Sequence, residues 1–353
     1  MKPPVPIREA VAKMRAYNPP LEGRTKKLRL DFNENPIGCS PKVRQALTRL
    51  SGAEICSYPE QETVRRQMAT HFGVRPDELL LTNGTDEALH VIVSTFVEPG
   101  DGVLLVEPTY AMYRFYSELA GARIVAPRYD GEMQFPWQEV LNLLGAKDAP
   151  CVFFLPNPNS PTGNLLSLVE IRRILGAAKQ TMVVIDEAYF EFSGVTVIPW
   201  IRRHANLIVT RTFSKTAGLA GLRLGCIFVN RDLAASMRKS QSPYPVNAAA
   251  LVAAEAAMRD RAFIARTVRE VKAGRQLLER GLARLGVRYF PSGGNFVLVY
   301  LGDPAKKIVA TLDRKGILVR DRSGDFSGEG YVRITAGTPA QTRRLLRELE
   351  TLL

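Results

Sequence analysis

The stretch Met182-Val183-Val184-Ile185-Asp186-Glu187-Ala188-Tyr189 runs through four apolar residues and stops abruptly on two carboxylates. A short apolar run without alternation reads as a strand buried on both faces. Asp186 at its end is costly to bury alone, so it should meet a positive partner. A protonated ring nitrogen of a ligand would serve, and so would a structural salt bridge. Working outward, similar apolar runs lie at 79–82, 103–106, 152–155, 207–210 and 226–229. Helical patterns separate most of them, including 41–50, 62–72 and a segment opening at Asp86. Doubly buried strands bounded by helices predict a mostly parallel sheet covered on both sides, a three-layer α/β/α domain.

At the ends the texture changes. Residues 1–20 read as a Pro-bearing arm with a short helical piece, 28–32 as a brief strand, and Asn33-Glu34-Asn35-Pro36-Ile37-Gly38 as a turn. After Pro245 the pattern is one long, basic, Ala-rich helix to about Leu285, then short strands at 296–300 and 331–335. The expected organisation is a large domain at 41–240 and a smaller α/β domain at 241–353, which the arm (1–40) joins. A chain of 353 residues is long enough for both.

Composition narrows the function class. With 46% hydrophobic and 24% charged residues the chain reads as a soluble globular protein. The N-terminus has no apolar signal core, and no apolar run reaches the roughly 20 residues of a membrane helix, so a cytoplasmic location is expected. The four cysteines lack Cys-x-x-Cys spacing and read as free thiols. The three histidines share no ligand spacing, and no metal site is expected. Of the net charge of +13, +10 falls after residue 230. Acids interrupt the basic residues and no aromatic stacking pattern accompanies them. Solvated helical faces, with a few arginines for anionic ligands, explain this better than nucleic-acid binding does.

Four further motifs follow apolar runs. Thr82-Asn83-Gly84-Thr85-Asp86-Glu87 opens a helix, whose free N–H groups suit an anion, although a capped turn with Thr85 or Asp86 as N-cap reads as well. Tyr110 in Glu107-Pro108-Thr109-Tyr110 suits either a planar ligand ring or a helix start. Pro156-Asn157-Pro158-Asn159-Ser160-Pro161-Thr162-Gly163 is a rigid loop whose Asn side chains can donate at the sheet edge. Thr212-Phe213-Ser214-Lys215 offers an amine able to condense with an aldehyde, and Arg223, eight residues on, can fork onto a phosphate.

In this order the motifs Asp-x-x-Tyr and Ser-Lys, with Arg223 downstream, resemble those of the fold-type-I enzymes that use pyridoxal phosphate (PLP), the aspartate aminotransferase superfamily. The resemblance runs from about Tyr17 to the end. It implies that Lys215 is the Schiff-base lysine and proton shuttle, that Asp186 pairs with the pyridine nitrogen, that Tyr189 contacts the phenolic oxygen and that Tyr110 stacks on the ring. It implies that Gly84, Thr85, Ser214 and Arg223 hold the phosphate with Asp86 beside them, and that Tyr58 reaches it from the neighbouring subunit of a homodimer. The family places Asn immediately before Pro-Thr-Gly, where this chain has Ser160. Either Asn159 takes over that cofactor contact or Ser160 supplies a weaker one.

Within the superfamily, the segments 30–38, 316–323 (Gly-Ile-Leu-Val-Arg320-Asp-Arg322-Ser) and 331–338 (Tyr-Val-Arg333-Ile-Thr-Ala-Gly-Thr) look most like those of histidinol-phosphate aminotransferases. That resemblance implies substrate contacts from Tyr17, Asn33, Arg320 and Arg333: Arg333 for a carboxylate, Arg320 for the substrate phosphate, Tyr17 as cover. The implied reaction moves an amino group between a phosphorylated amine and a 2-oxo acid in histidine biosynthesis. An aromatic amino-acid aminotransferase and a threonine-phosphate decarboxylase are the alternatives.

Overall fold

The computed structural model describes residues 5–326 and 328–353; Met1–Pro4 of the arm lie outside the described residues. The strands are β1 (Leu28–Leu30), β2 (Leu79–Thr82), β3 (Gly102–Leu104), β4 (Arg123–Val125), β5 (Val152–Pro156), β6 (Met182–Asp186), β7 (Leu207–Thr212), β8 (Gly225–Val229), β9 (Arg288–Phe290), β10 (Phe296–Tyr300), β11 (Ile317–Asp321) and β12 (Tyr331–Thr335).

Seven strands form the large sheet in the order β2-β8-β7-β6-β5-β3-β4. Pairing is parallel from β7 through β6, β5 and β3 to β4, and β8 runs antiparallel to both its neighbours. The apolar runs have no polar face because each strand is covered twice. Phe153, Leu155, Val183, Ile185, Leu207 and Val209 pack into one core with the helices Glu62–Phe72, Leu168–Ala177 and Ala248–Arg259. The residues between them, Val152, Phe154, Val184 and Ile208, pack into the other, under the helices Gly84–Phe96 and Ala111–Ala120. The expected three-layer arrangement is observed.

The second sheet has the order β1-β11-β12-β10-β9. Here β1, from the N-terminal segment, pairs in parallel with β11, while the other pairs are antiparallel. Its own core gathers Leu30, Val297, Val299, Ile317 and Val332 with Leu278, Leu282, Leu345 and Leu349 of two covering helices. The expected single helix after Pro245 is in fact two, Ala248–Arg259 and Arg261–Arg284. Asp260 between them leaves helical geometry (φ −105°, ψ 57°) and accepts a hydrogen bond from the Phe263 amide, so it caps the second helix. A capping side chain thus overrides the high helix propensity of the alanines on either side. Among the described residues no helix is long and apolar enough to cross a membrane.

Candidate active site

The parallel strands all end on one edge. Register places Pro156 beside Asp186, Asp186 beside Thr210, and Gly225 beside both Thr212 and Thr82. Ligands of open α/β sheets bind at such an edge. A cavity of about 710 Å³ opens there, bounded on its far side by the small sheet. Lining it are Tyr17, Asn33, Thr85, Asp86, Tyr110, Ser160, Asp186, Tyr189, Ser214, Lys215, Arg223, Arg320 and Arg333, so most of the residues singled out from the sequence meet in one place.

Lys215 is half-buried, and its Nζ donates to the Phe32 carbonyl at 3.2 Å and lies 5.7 Å from the centre of the Tyr189 ring. Asp186 is buried, and burial pushes its carboxyl above the usual range against the pull of the Tyr113 hydroxyl, Thr210, the Ala188 amide and the Lys215 charge. The Tyr113 hydroxyl donates to Asp186 Oδ2 at 2.7 Å and the Ala188 amide donates to Oδ1 at 3.1 Å. Sequence reasoning missed Tyr113. Its signal is its spacing: three residues after Tyr110 on a helix, it points under the site. Burial, then Asp186, raises the Tyr113 hydroxyl well above its ordinary value, so it stays a donor. Tyr113→Phe should keep the fold but lower kcat roughly tenfold, a loss near that of one hydrogen bond to a charged group. Steady-state kinetics checks this.

At the end of the cavity beside the large sheet the residues form an anion cradle. Gly84 begins its helix with φ 74°, and a Cβ there would stand 2.5 Å from Arg223 Nη2. A Cβ on Gly225 would meet the Gly84 carbonyl carbon at 2.6 Å. Glycine is required at both for the backbones and the guanidinium to approach. Arg223 is itself left-handed (φ 55°) and donates to Asp86 Oδ2 at 3.0 Å. Tyr110 donates to the other Asp86 oxygen at 2.9 Å. Asp86 therefore orients Arg223 and Tyr110. Neither Thr85 nor Asp86 occupies the N-cap position, which is Asn83. The Thr85 hydroxyl oxygen is buried without a partner among the described residues.

At the end beside the small sheet Arg320 and Arg333 are direct partners across the antiparallel pair β11–β12. Like charges in that position repel unless an anion joins them. Arg333 is buried; it donates to Ser160 Oγ at 2.9 Å and to the Asp31 carbonyl at 2.6 Å, and its Nε has no partner among the described residues. Burial, helped by Arg322 and Arg320, lowers its pKa to about 10 although the neighbouring tyrosines Tyr189 and Tyr17 oppose this. Asn33, at φ 54°, donates from Nδ2 to the Tyr189 hydroxyl at 2.9 Å and is tied to Thr335 through its amide and Oδ1. Residues 31–33 thus touch Arg333, Lys215 and Tyr189 together. Arg24, unflagged in the sequence, anchors them through a two-pronged pair with Asp31 (2.8 and 3.0 Å) and a bond to Glu34.

One expected cofactor contact is placed elsewhere. The Asn159 side chain is buried and fully used: Oδ1 accepts from the Thr109 hydroxyl, and Nδ2 donates to the Pro108 carbonyl and Thr162 Oγ1. It does not line the cavity. Ser160 does, but its hydroxyl is engaged by Arg333. Tyr58 lies outside the cavity, largely exposed, with its ring stacked on Tyr244 at 4.3 Å.

The residues fit the cofactor expected from the sequence. The unpartnered Thr85 hydroxyl, the free amides of a helix start, Ser214 and Arg223 suit a phosphate. The buried carboxylate of Asp186 accepts hydrogen bonds from Tyr113 and the Ala188 amide but forms no ion pair among the described residues, and a protonated pyridine would supply one.

The family described as "Aminotransferase class I and II" matches residues 25–349. A histidinol-phosphate aminotransferase of Symbiobacterium thermophilum is 36% identical, over 98% of this chain and 98% of that protein. The structure of histidinol-phosphate aminotransferase from Sinorhizobium meliloti in complex with pyridoxal-5'-phosphate superposes with a TM-score of 0.89 at 25% identity, covering 98% of this chain and 97% of that one. L-threonine-O-3-phosphate decarboxylase from Porphyromonas gingivalis is similar too, with a TM-score of 0.80, 27% identity and coverage of 91% and 98%. The chain belongs to the class I and II aminotransferases, and within them to the histidinol-phosphate aminotransferases.

Proposed function

We propose that this PLP-dependent transaminase moves the amino group of L-histidinol phosphate to 2-oxoglutarate, giving imidazole-acetol phosphate and L-glutamate. The arginine pair Arg320–Arg333 carries the reading: two guanidiniums held face to face on adjacent strands, at the opposite end of the cavity from the Arg223 cradle. One cradle suits the cofactor phosphate and the other an anionic substrate group. L-Histidinol phosphate carries a phosphate and 2-oxoglutarate two carboxylates, one of which takes the same place, so one subsite serves each half of the reaction.

When bound, PLP supplies an aldehyde function and an electron-withdrawing ring. Arg223, Thr85, Ser214 and the helix start at Gly84 would hold its phosphate, with Asp86 keeping Arg223 aimed. Asp186, steadied by Tyr113, would keep a proton on the ring nitrogen. The Tyr189 hydroxyl, fixed by Asn33, would serve the ring oxygen, and Tyr110 would stack on the ring. Lys215 Nζ, once free, would take the proton from the substrate's amino-bearing carbon and hold it for return. Arg333 and Arg320 hold the substrate's anionic end, and Tyr17 closes the mouth.

With 2-oxoglutarate as acceptor, kcat/KM for L-histidinol phosphate should exceed that for phenylalanine at least a hundredfold. A preference for phenylalanine would make the enzyme an aromatic aminotransferase. Carbon dioxide release from threonine phosphate without a keto acid would make it a decarboxylase.

The working unit in this reading is a cytoplasmic homodimer. The exposed Tyr58–Tyr244 stack and the exposed Ile55 support it, with Tyr58 proposed to reach the partner's phosphate cradle. Sedimentation of the holoenzyme should give a dimer, and Tyr58→Ala should weaken cofactor binding several-fold. A fully active monomer contradicts this.

A further inference from the structure

A third guanidinium enters the substrate end of the cavity. Arg322 follows Arg320 by two positions, and its amide donates to the Tyr331 carbonyl at 2.8 Å, which extends the β11–β12 pairing past Asp321. Residues two apart on a strand share a face, and Arg320 and Arg322 both line the cavity with Arg333. The Arg322 side chain is only 11% exposed, and its Nε lies within ion-pair distance of Asp325 Oδ2, although neither atom makes a hydrogen bond among the described residues. Asp325 is itself well anchored. Its carbonyl accepts from Arg128 Nη2 at 2.6 Å, the next residue, Phe326, stacks on Tyr331 at 4.0 Å, and Ser323 Oγ accepts from the Gly330 amide at 3.0 Å.

The charge balance of this end decides what it prefers. Arg24 also lines the cavity, but it and Arg29 are balanced by the two carboxylates of Asp31 and Glu34. The three guanidiniums of Arg320, Arg322 and Arg333 face the single carboxylate of Asp325, which leaves two positive charges. A phosphate monoester carries close to two negative charges at neutral pH, and an amino-acid carboxylate carries one.

We propose that Arg322, aimed by Asp325, is a specificity-determining residue that makes this subsite favour a dianionic phosphate ester over a monoanionic carboxylate. The inference rests on the proposed placement of the substrate anion at Arg320 and Arg333. Its carboxylate partner is fixed by contacts from β12 and from Arg128, so the guanidinium is oriented before substrate arrives and loses little freedom on binding.

The test uses the holoenzyme and the glutamate half-reaction, with inorganic phosphate and acetate as competing anions. In Arg322→Gln the inhibition constant for phosphate should rise roughly tenfold or more, while that for acetate changes less than about twofold and the visible absorbance of the bound cofactor is unchanged. Arg322→Lys keeps the charge and the pair with Asp325 but loses the fork. It should give an intermediate value for phosphate, and it decides the matter if the glutamine variant does not fold. Equal losses for both anions, or no loss for phosphate, overturn the proposal. Because the half-reaction uses glutamate, an enzyme that ignores histidinol phosphate would refute the substrate reading while leaving this result interpretable.

Discussion

Lys215→Ala is expected to abolish the visible absorbance of the holoenzyme and to cut turnover by at least about 10⁴-fold, the combined loss of a nucleophilic amine and a general base. Among the described residues Lys215 is the only lysine lining the cavity, so no neighbouring amine can take its place. Its one hydrogen bond in the structure is to the Phe32 carbonyl, so its removal breaks little of the fold. The circular dichroism spectrum should therefore stay that of the parent. Lys215→Arg keeps a cation but offers no amine of suitable basicity, and it should be equally inactive. Retained absorbance and turnover in either variant would remove Lys215 from the chemistry.

Arg333→Leu is expected to lower kcat/KM for glutamate and for histidinol phosphate by about 10³-fold, on the order of 4 kcal/mol. Arg333 is buried, has a cross-strand arginine as its direct partner, and keeps Nε unpaired among the described residues. A cation held under those conditions awaits an anion. The loss should fall mostly on KM, because the guanidinium grips a group that does not react. Stability should change by less than about 1–2 kcal/mol, since removing a like charge offsets the two hydrogen bonds lost to Ser160 and Asp31. Thermal unfolding beside steady-state kinetics separates the two effects. A variant that unfolds early and loses kcat and KM together would show a structural arginine instead.

How far the sequence exposes this protein depends on how local each signal is. The runs at 79–82 and 182–185 are legible because a strand covered on both faces must be apolar throughout. The edge strands β4 and β9, three residues each and partly exposed, carry no such pattern and go unseen. Glycine at position 84 starts its helix two residues before the expected Asp86, since the fold needs room there for Arg223 rather than a capping side chain. Lys215, Asp186 and Arg223 stand out as motifs after strands. Tyr113, Arg24 and Arg322 do not: Tyr113 acts through Asp186, 73 residues away, and the turns that bring Arg24 onto Asp31 and Glu34, and Arg322 onto Asp325, carry no periodic pattern. The Asn159-Ser160 ambiguity is of the same kind. Which side chain faces the cavity depends on Thr109 and Thr162 claiming Asn159, and those contacts are invisible to spacing.

The most direct test of the whole account is a single-turnover experiment on the PLP-loaded enzyme with L-histidinol phosphate and no keto acid. The visible band of the bound cofactor should convert fully to the ultraviolet band of its amine form, and 2-oxoglutarate should restore it with release of glutamate. A visible band that histidinol phosphate leaves unchanged, in an enzyme that glutamate does convert, would contradict the assignment.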